Sequence, residues 1–405
     1  METIETENQL GLTVCNRQSL AFERGLGSYV WDEQGERYLD FTSGWGVTSL
    51  GHSHPALVSA ISQQAGKLMQ NPNSGFTYSP VRARLLQALT AVLPQQPWRL
   101  FFASSGAEAN DAAVKLARKA TGRRNVIAMS GSFHGRTLAT LSLSGGTDNA
   151  AKYLPTVPGN LFQPFADLES LQQVIDDDVA AVIVEPVQGE GGVRPLPPGF
   201  LSALSQLCRQ HGVLLIVDEV QTGFCRTGRF FAFEAEEVVP DILTMGKGIA
   251  GGFPFAALAV SGSVAAALSK GDHGGTYCGN PLGCAAALAV VEHLVDNRVA
   301  ERVTALGQEA MCCLREIAGK VPGLIREVRG QGLLIGLQLH NDEQVGQLTE
   351  ACLQQRLLVT PTRNAVVRLL PNLLVTREEL HEGLDLLAAA ADSLGPVRSE
   401  VLHTG

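Results

Sequence analysis

The stretch Val213-Leu-Leu-Ile-Val-Asp218-Glu219-Val-Gln221 indicates how this chain folds. Five apolar residues are followed at once by two carboxylates. A short apolar run of this kind is typical of a strand that is buried on both faces of a parallel sheet. Ligands bind at the carboxyl ends of the strands in open α/β sheets. We therefore expect Asp218 and Glu219 to lie at a ligand site, although an isolated Asp-Glu pair is more often a solvated strand end.

Other apolar runs, each bounded by turn residues, predict further strands of the same sheet. They cover residues 99–103, 125–129, 180–185 and 241–245. Helical patterns lie between them, at residues 108–120 and 199–210. Strands that alternate with helices of this length indicate βαβ units. The chain is therefore predicted to be an α/β protein whose mostly parallel sheet is covered by helices on both faces.

The two ends of the chain follow a different pattern. Residues 29–31 and 38–41 flank a polar turn and predict a hairpin. Beyond residue 297 we predict a long helix, a strand at 332–339, short strands at 357–360 and 366–369, and a closing helix at 377–394. We expect residues 50–295 to form a large domain. Residues 1–49 and 296–405 are expected to join in a smaller α+β domain.

The composition excludes several classes of protein. The 405 residues carry a formal net charge of −9, and nucleic-acid binders need Lys and Arg in excess. The acidic N-terminus lacks the order of a signal peptide, and the most apolar stretch, residues 253–268, is too short to span a bilayer. Eight cysteines without a CxxC pair indicate reduced thiols. We expect a soluble, cytoplasmic enzyme.

A lysine framed by glycines follows the last predicted strand of the sheet, in Gly246-Lys247-Gly248. A solvated lysine needs no tight backbone around it. A buried amine, in contrast, has a lowered pKa and becomes nucleophilic, as Schiff-base formation requires. This motif alone leaves a catalytic and a structural lysine equally open.

Small residues lead into the first helix of the large domain, in Ser104-Ser105-Gly106-Ala107. Free N–H groups at a helix N-terminus bind phosphate, although a simple N-cap by Ser105 explains this motif better when it is taken by itself. Lys247 for a Schiff base, Asp218 for a ring nitrogen and this helix N-terminus for a phosphate together point to pyridoxal 5′-phosphate.

Taken in order, the motifs of the chain resemble those of the class III (ω-amino acid) pyridoxal-phosphate-dependent aminotransferases, closest to the acetylornithine and succinylornithine group. The motifs are Gly51-His52-Ser53-His54-Pro55, Ser105-Gly106-Ala107-Glu108-Ala109-Asn110, Phe133-His134-Gly135-Arg136-Thr137, Glu185-Pro186-Val187-Gln188-Gly189-Glu190, Asp218-Glu219-Val220-Gln221, Lys247 and Gly274-Gly275-Thr276. The resemblance implies fold type I, with an active site shared between the two subunits of a homodimer.

The resemblance also implies which residues bind the cofactor. Lys247 is expected to form the Schiff base and then to move the substrate proton, and Asp218 is expected to pair with the pyridine nitrogen. The remaining cofactor-binding residues are expected to be Ser105, Gly106, Ala107, Phe133, Glu219, Gln221 and, from the other subunit, Thr276. A core aromatic is the alternative for Phe133.

Two arginines are expected to bind the substrates, again by resemblance. Arg136 matches the arginine that holds the α-carboxylate of the ω-amine donor, and Arg368 matches the one that holds the α-carboxylate of glutamate. An arginine within an apolar strand needs an acidic partner, and Glu190 is expected to supply it. Gly275, also expected at the substrate, stands where acetylornithine enzymes commonly carry serine.

We therefore expect a transaminase that moves an ω-amino group from N-acetylornithine, or a similar amine, to 2-oxoglutarate. Ornithine, 4-aminobutyrate or a diamine as donor remains open, as do decarboxylation, racemisation or aminomutase chemistry on the same fold and a non-catalytic binding protein. His52 and His54 are interpreted as structural, no acid–base role is assigned to His134, and no metal site is expected.

Overall fold

The computed structural model describes residues 2–145 and 148–394. The strands are β1 Phe22–Leu26, β2 Tyr29–Asp32, β3 Arg37–Asp40, β4 Arg99–Ala103, β5 Asn125–Met129, β6 Asn160–Gln163, β7 Val179–Val184, β8 Val187–Gln188, β9 Arg194–Pro195, β10 Leu214–Asp218, β11 Ile242–Met245, β12 Ala256–Val260, β13 Ile325–Gln331, β14 Leu334–Leu339, β15 Leu357–Leu358, β16 Thr360–Thr362 and β17 Val366–Leu369. The helices are α1 Glu2–Leu10, α2 Ser43–Gly46, α3 Pro55–Ala65, α4 Pro80–Val92, α5 Gly106–Thr121, α6 Leu138–Leu141, α7 Asp148–Ala151, α8 Leu168–Val174, α9 Phe200–His211, α10 Gly262–Ala266, α11 Pro281–Asp296, α12 Val299–Lys320, α13 Asp342–Gln354 and α14 Arg377–Ser393.

The largest sheet has the strand order β4-β12-β11-β10-β7-β5-β6. Neighbouring strands from β11 to β6 are parallel, and β12 alone runs antiparallel to both of its neighbours, β4 and β11. Every residue of β7 and of β12 is buried. The prediction of a mostly parallel sheet between helices is thus confirmed, with one antiparallel strand that was not predicted.

The predicted strands in this sheet are confirmed, and two of them have the predicted bounds, 99–103 and 125–129. β6 and β12 were not predicted. β12 lies in the apolar stretch 253–268, whose small residues give no period that distinguishes a strand from a helix.

Within the described residues, no helix is long and apolar enough to cross a membrane.

Two smaller sheets lie toward the ends of the chain. β1, β2 and β3 form antiparallel neighbours that include the predicted hairpin, and β15 from the C-terminal part adds to β3 in parallel. The other sheet is antiparallel, with the order β13-β14-β17-β16. Arg368 lies in β17, opposite Gly336 on one side and Thr360 on the other. The division of the chain at residues 49 and 295 stays a prediction.

The direction of the strands determines where functional side chains meet. β4, β5, β7, β10 and β11 all run the same way, so the loops that follow them lie along one edge of the sheet. Helix α5 begins just after β4, and its first turn is fixed by reciprocal hydrogen bonds between Ser105 and Glu108. A Cβ on Gly106 would lie 2.6 Å from Val220 Cγ1, so only glycine lets α5 approach the end of β10 this closely.

Candidate active site

A cavity of about 780 Å³ lies at the carboxyl edge of the large sheet. One part of its lining comes from the loops after the parallel strands. Another part comes from α13, from β16 and from Arg363, which follows β16. The predicted site residues that line it are Gly106, Ala107, Phe133, Arg136, Glu190, Asp218, Gln221 and Lys247. Residues that lie far apart in the sequence are therefore brought to one site.

Lys247 comes directly after β11, at the start of a single 3₁₀ turn. Its side chain reaches the cavity. Burial lowers the pKa of this amine to about 8, and the charge of Arg368 acts in the same direction, against the opposing effect of nearby carboxylates. At neutral pH about a tenth of the amine is therefore unprotonated and nucleophilic, far more than for an exposed lysine.

The Asp218 carboxylate is held by three hydrogen bonds. Oδ2 accepts from Asn110 Nδ2 at 2.8 Å and lies 2.7 Å from His134 Nδ1. Oδ1 accepts from the Val220 backbone N–H at 3.0 Å. Asn110 is itself fixed by Thr244, whose hydroxyl donates to Asn110 Oδ1 at 2.6 Å. The carboxylate is thus fixed in orientation at the cavity wall.

The N-terminus of α5 forms another part of the wall, through Gly106 and Ala107. The first backbone N–H groups of a helix have no partner within the helix and attract anions. The Ser105 hydroxyl accepts from the Glu108 backbone N–H at 3.2 Å and is therefore engaged in the cap. The N-cap by Ser105 is confirmed, whereas phosphate binding by Gly106 and Ala107, which line the cavity, stays a prediction.

Arg368 is fully buried behind Glu190 and Gln221. Its Nη1 donates to Glu190 Oε1 at 2.6 Å and to Gln221 Oε1 at 3.1 Å. Its Nε and Nη2 have no hydrogen-bond partner among the described residues. Burial opposes ionisation of Glu190, but the charges of Arg368 and Lys247 and the hydrogen bonds of Arg368 and Gln221 together outweigh it and lower the pKa of Glu190 to about 2. A Cβ on Gly189 would overlap Gln221 Oε1, which explains the glycine before Glu190.

Phe133 and Arg136 lie on the loop after β5, and the Arg136 guanidinium is 5.7 Å from the centre of the Phe133 ring. The position of Phe133 is fixed by Glu185, whose Oε1 accepts from the Phe133 backbone N–H at 2.9 Å. Glu185 also accepts from the Gly189 backbone N–H at 3.4 Å. Burial raises the pKa of Glu185.

Five predicted site residues do not line this cavity: Ser105, which caps α5, Arg368, which is buried behind Glu190, and Glu219, Gly275 and Thr276. Glu219 points to the other side of the strand end, where Phe233 N and Thr222 Oγ1 donate to its carboxyl group. This corrects the expectation that Glu219 contacts the cofactor. Gly275 and Thr276 are exposed, and the Thr276 carbonyl accepts from Gln70 Nε2. Their predicted role concerns a second subunit.

Sequence reasoning missed several residues that line the cavity. The motifs that contain His134 and Glu185 gave neither residue a role. Both side chains are buried, and it is this burial, visible only in the fold, that marks them. The other lining residues that were not predicted include Trp45, Asn110, Asp342, Thr360 and Arg363. Most of these come from parts of the chain where no local motif marks them.

The comparisons with known proteins agree with this geometry. The family described as aminotransferase class-III matches residues 14–391. An acetylornithine aminotransferase from Methanothermobacter thermautotrophicus is 40% identical over 393 residues, which cover 97% of this chain and 99% of that protein. The structure of an ornithine aminotransferase from Toxoplasma gondii matches with a TM-score of 0.92 and 33% identity, over 97% of this chain and 95% of that one. An acetylornithine aminotransferase from Elizabethkingia anophelis matches with a TM-score of 0.86 and 32% identity, over 96% and 98%.

Proposed function

The chain belongs to the class-III aminotransferases, and we propose that it moves the ω-amino group of N-acetylornithine, or of a similar ω-amine, to 2-oxoglutarate. Enzymes of this family are transaminases that depend on pyridoxal 5′-phosphate. The cavity fits this cofactor, because it combines a nucleophilic amine, a fixed carboxylate and the N-terminus of a helix. The cofactor, when bound, supplies an aldehyde that holds the amino group and a ring that accepts electrons.

Each of these groups has a proposed task. The backbone N–H groups of Gly106 and Ala107 bind the phosphate, and Asp218 keeps a proton on the ring nitrogen. Phe133 packs on the ring and Gln221 contacts its phenolic oxygen. The Lys247 amine would take the proton from the donor carbon that carries the amino group and deliver it to the carbon of the cofactor's aldehyde group, and its pKa of about 8 suits both accepting and donating a proton.

The pair of Arg368 and Glu190 is the observation that supports a transaminase with two different substrates. Arg368 has two N–H-bearing nitrogens without partners in the described part of the chain, and a carboxylate can occupy both. The Glu190 side chain is 30% exposed while that of Arg368 is fully buried, so Glu190 is the partner that can move. We propose that Glu190 leaves when glutamate or 2-oxoglutarate enters and stays when the ω-amine is bound.

The donor needs a second carboxylate contact, which we assign to Arg136. This arginine is exposed at the cavity, on the side of Phe133. The donor's carboxylate then lies far from Arg368, and its ω-amino group reaches toward Lys247. The names of the curated relatives favour N-acetylornithine, whereas the likeness to an ornithine aminotransferase structure keeps ornithine as the second candidate.

We also propose a homodimer. Exposed apolar side chains lie close to the loop of Gly275 and Thr276, and monomers rarely leave such patches open. This patch consists of Met69, Phe76, Tyr78 and Tyr277, of which Phe76 and Tyr78 are 95% and 100% exposed. In the dimer Thr276 would bind the partner's cofactor phosphate. Tyr78→Arg is expected to give monomers in analytical ultracentrifugation, while Tyr153→Arg, at another exposed tyrosine, leaves the dimer intact. A Tyr78→Arg dimer would contradict this interface.

The proposed setting is the cytoplasm, in arginine biosynthesis. The eight cysteines, none of them in a CxxC pair, support the first part, and the names of the relatives support the second. Growth of an arginine auxotroph that lacks its own N-acetylornithine transaminase, with this chain supplied in trans, tests the pathway. No growth despite activity in the extract would contradict it.

The donor is tested by single turnover with the cofactor-loaded enzyme. N-acetylornithine, ornithine, 4-aminobutyrate and a diamine are each mixed with it, and the loss of the visible absorbance of the bound cofactor is followed. N-acetylornithine is expected to react fastest, and 2-oxoglutarate to restore the absorbance. Lys247→Ala is the control and should react with none of them. Faster reaction with ornithine or with the diamine would contradict the proposed donor.

A further inference from the structure

Trp45 reaches the cavity from a strained turn. Its side chain is among those that line the cavity, and it is 61% exposed. The turn α2, Ser43–Gly46, has positive φ angles throughout: 45° at Ser43, 56° at Gly44, 67° at Trp45 and 83° at Gly46. A tryptophan with positive φ is costly, and such a backbone persists only where the surroundings hold it.

Asp40 holds this turn from its N-terminal side. One carboxylate oxygen, Oδ1, accepts from the Thr42 backbone N–H at 2.8 Å, from the Thr42 hydroxyl at 2.6 Å and from the Ser43 backbone N–H at 3.1 Å. The Ser43 hydroxyl then donates to the Leu370 carbonyl at 2.6 Å. Asp40 is buried, so these bonds are shielded from competing water.

His52 binds the other oxygen of the same carboxylate. Its Nε2 lies 2.8 Å from Asp40 Oδ2. The His52 backbone is fixed by two hydrogen bonds with Gly27, of 2.8 and 3.0 Å. Gly25 makes room for the ring, since a Cβ there would lie 2.7 Å from His52 Cβ and Cγ. His52, which the sequence pattern marked as structural, is thus hydrogen-bonded to Asp40, the residue that holds the Trp45 turn.

We infer that His52 and Asp40 are positioning residues that hold Trp45 at the cavity for the amine donor. The imidazole fixes the Asp40 carboxylate, the carboxylate fixes the first residues of the turn, and the turn presents the indole to the donor's aliphatic chain. The inference rests on the proposed donor site, and it adds to that site a surface that recognises the apolar part of an ω-amine.

Ser49, on the C-terminal side of the Trp45 turn, is held by contacts that do not involve His52 or Asp40. The Ser49 hydroxyl donates to the Gly248 carbonyl at 2.9 Å, next to Lys247, and the Ser49 carbonyl accepts from the Leu373 N–H at 2.8 Å. Loss of His52 should therefore free the Trp45 turn and leave Lys247 in place. The expected signature is a higher KM for the amine donor with little change in kcat.

A double-mutant cycle between His52 and Trp45 tests the inference. His52→Leu is expected to raise the KM for the donor about tenfold, with kcat within about twofold of wild type. In the Trp45→Ala background the same change should have less than about a twofold effect, because the indole that it positions is gone. His52→Gln keeps an N–H donor and should recover most of the loss. His381→Leu removes a histidine from another carboxylate pair, with Glu309, and serves as the matched control with unchanged kinetics.

Equal losses from His52→Leu in the two backgrounds would overturn the inference. If that variant does not fold, the cycle is run with Asp40→Asn, which keeps an acceptor for Thr42 and Ser43 but weakens the bond to His52, and it is judged by the same criterion. The measurements use whichever donor the wild type turns over fastest. Preference for another amine would contradict the proposed donor without affecting the outcome of the cycle.

Discussion

Nδ1 of His134 lies 2.7 Å from Oδ2 of Asp218, and both side chains are buried at the cavity. Burial by itself lowers the pKa of His134, but the hydrogen bond and the charge of Asp218 outweigh it and raise that pKa. Nε2 of His134 has no partner among the described residues. The imidazole is therefore committed to Asp218, and it helps to fix the orientation of that carboxylate.

Asp218→Asn is expected to lower the single-turnover rate with the amine donor by about 10²–10³-fold or more, because a neutral amide no longer stabilises a protonated ring nitrogen. The cofactor should stay bound through the helix N-terminus, which its absorbance after gel filtration reports. His134→Asn removes one support of the carboxylate and should cost less. Nearly normal turnover of Asp218→Asn would exclude Asp218 as the partner of the ring nitrogen.

Arg368→Ala is expected to damage the two half-reactions unequally. Loss of a buried bidentate contact should weaken the binding of 2-oxoglutarate and glutamate by roughly 2–5 kcal/mol. The donor half-reaction should suffer less, because we assign the donor's carboxylate to Arg136. Single-turnover rates for each half-reaction measure this, with Arg377→Ala, which removes an exposed ion pair with Glu309, as the control. Equal losses in both halves would mean that Arg368 is purely structural.

Glu190→Gln should shift the preference toward α-amino donors. The pKa of Glu190 is about 2, so it is ionised at working pH and covers the Arg368 guanidinium. The neutral amide covers the guanidinium less strongly, and glutamate should bind more tightly while N-acetylornithine loses its advantage. The ratio of kcat/KM for the two donors is the measure. An unchanged ratio would contradict the proposal that Glu190 masks Arg368.

The capture of pyridoxal phosphate by the cofactor-free chain should depend on pH with a midpoint near 8. Only the neutral amine attacks an aldehyde, and burial lowers the pKa of Lys247 to about 8, so the reactive fraction rises as the pH passes through that value. Borohydride trapping over a pH series, followed by peptide mapping, gives both the midpoint and the labelled lysine. A midpoint near that of an exposed lysine, or a label elsewhere, would contradict the assignment.

Glu219→Gln should stabilise the protein at pH 8 and leave the bound cofactor unaffected. Burial raises the pKa of Glu219 to about 8, so the folded state holds a proton that the unfolded chain releases above about pH 4.3. Stability is therefore lost as the pH rises from there toward 8, and an amide avoids this loss, since its oxygen can accept from the Phe233 N–H and its NH2 group can donate to the Thr222 hydroxyl. Melting temperatures at pH 5 and pH 8 test it. If the variant and the wild type differed in melting temperature by the same amount at both pH values, a neutral Glu219 would be contradicted.

Much of the large sheet could be predicted because its strands are apolar runs between clear turn signals. β4 and β5 have the predicted bounds for this reason. β12 could not be predicted, since Ala256-Ala-Leu-Ala-Val260 suits a helix at least as well as a strand. Its pairing with β4 and β11, which come from two distant parts of the chain, makes it a strand.

The residues of the candidate site also differ in whether their roles could be predicted from local sequence. Lys247 and Asp218 stand in motifs whose chemistry can be inferred locally, whereas the role of Glu190 was implied only by resemblance. The role of His134 depends on a partner 84 residues away, which no local pattern reveals. Glu219 was predictable in principle, because successive side chains at a strand end face opposite ways and Asp218 already faces the cavity.

The antiparallel course of β12 has a consequence for how the enzyme is assembled. β12 follows the Lys247 turn closely and is bonded on its far side to β4, where Leu258 lies opposite Phe101. Contacts between such distant parts of a chain are slow to form, because the loop between them must close first. The reactive lysine is thus fixed only when the beginning and the middle of the chain have met. During refolding, capture of the cofactor should lag behind the formation of helices, so its uptake is a natural reporter of the final stage of folding.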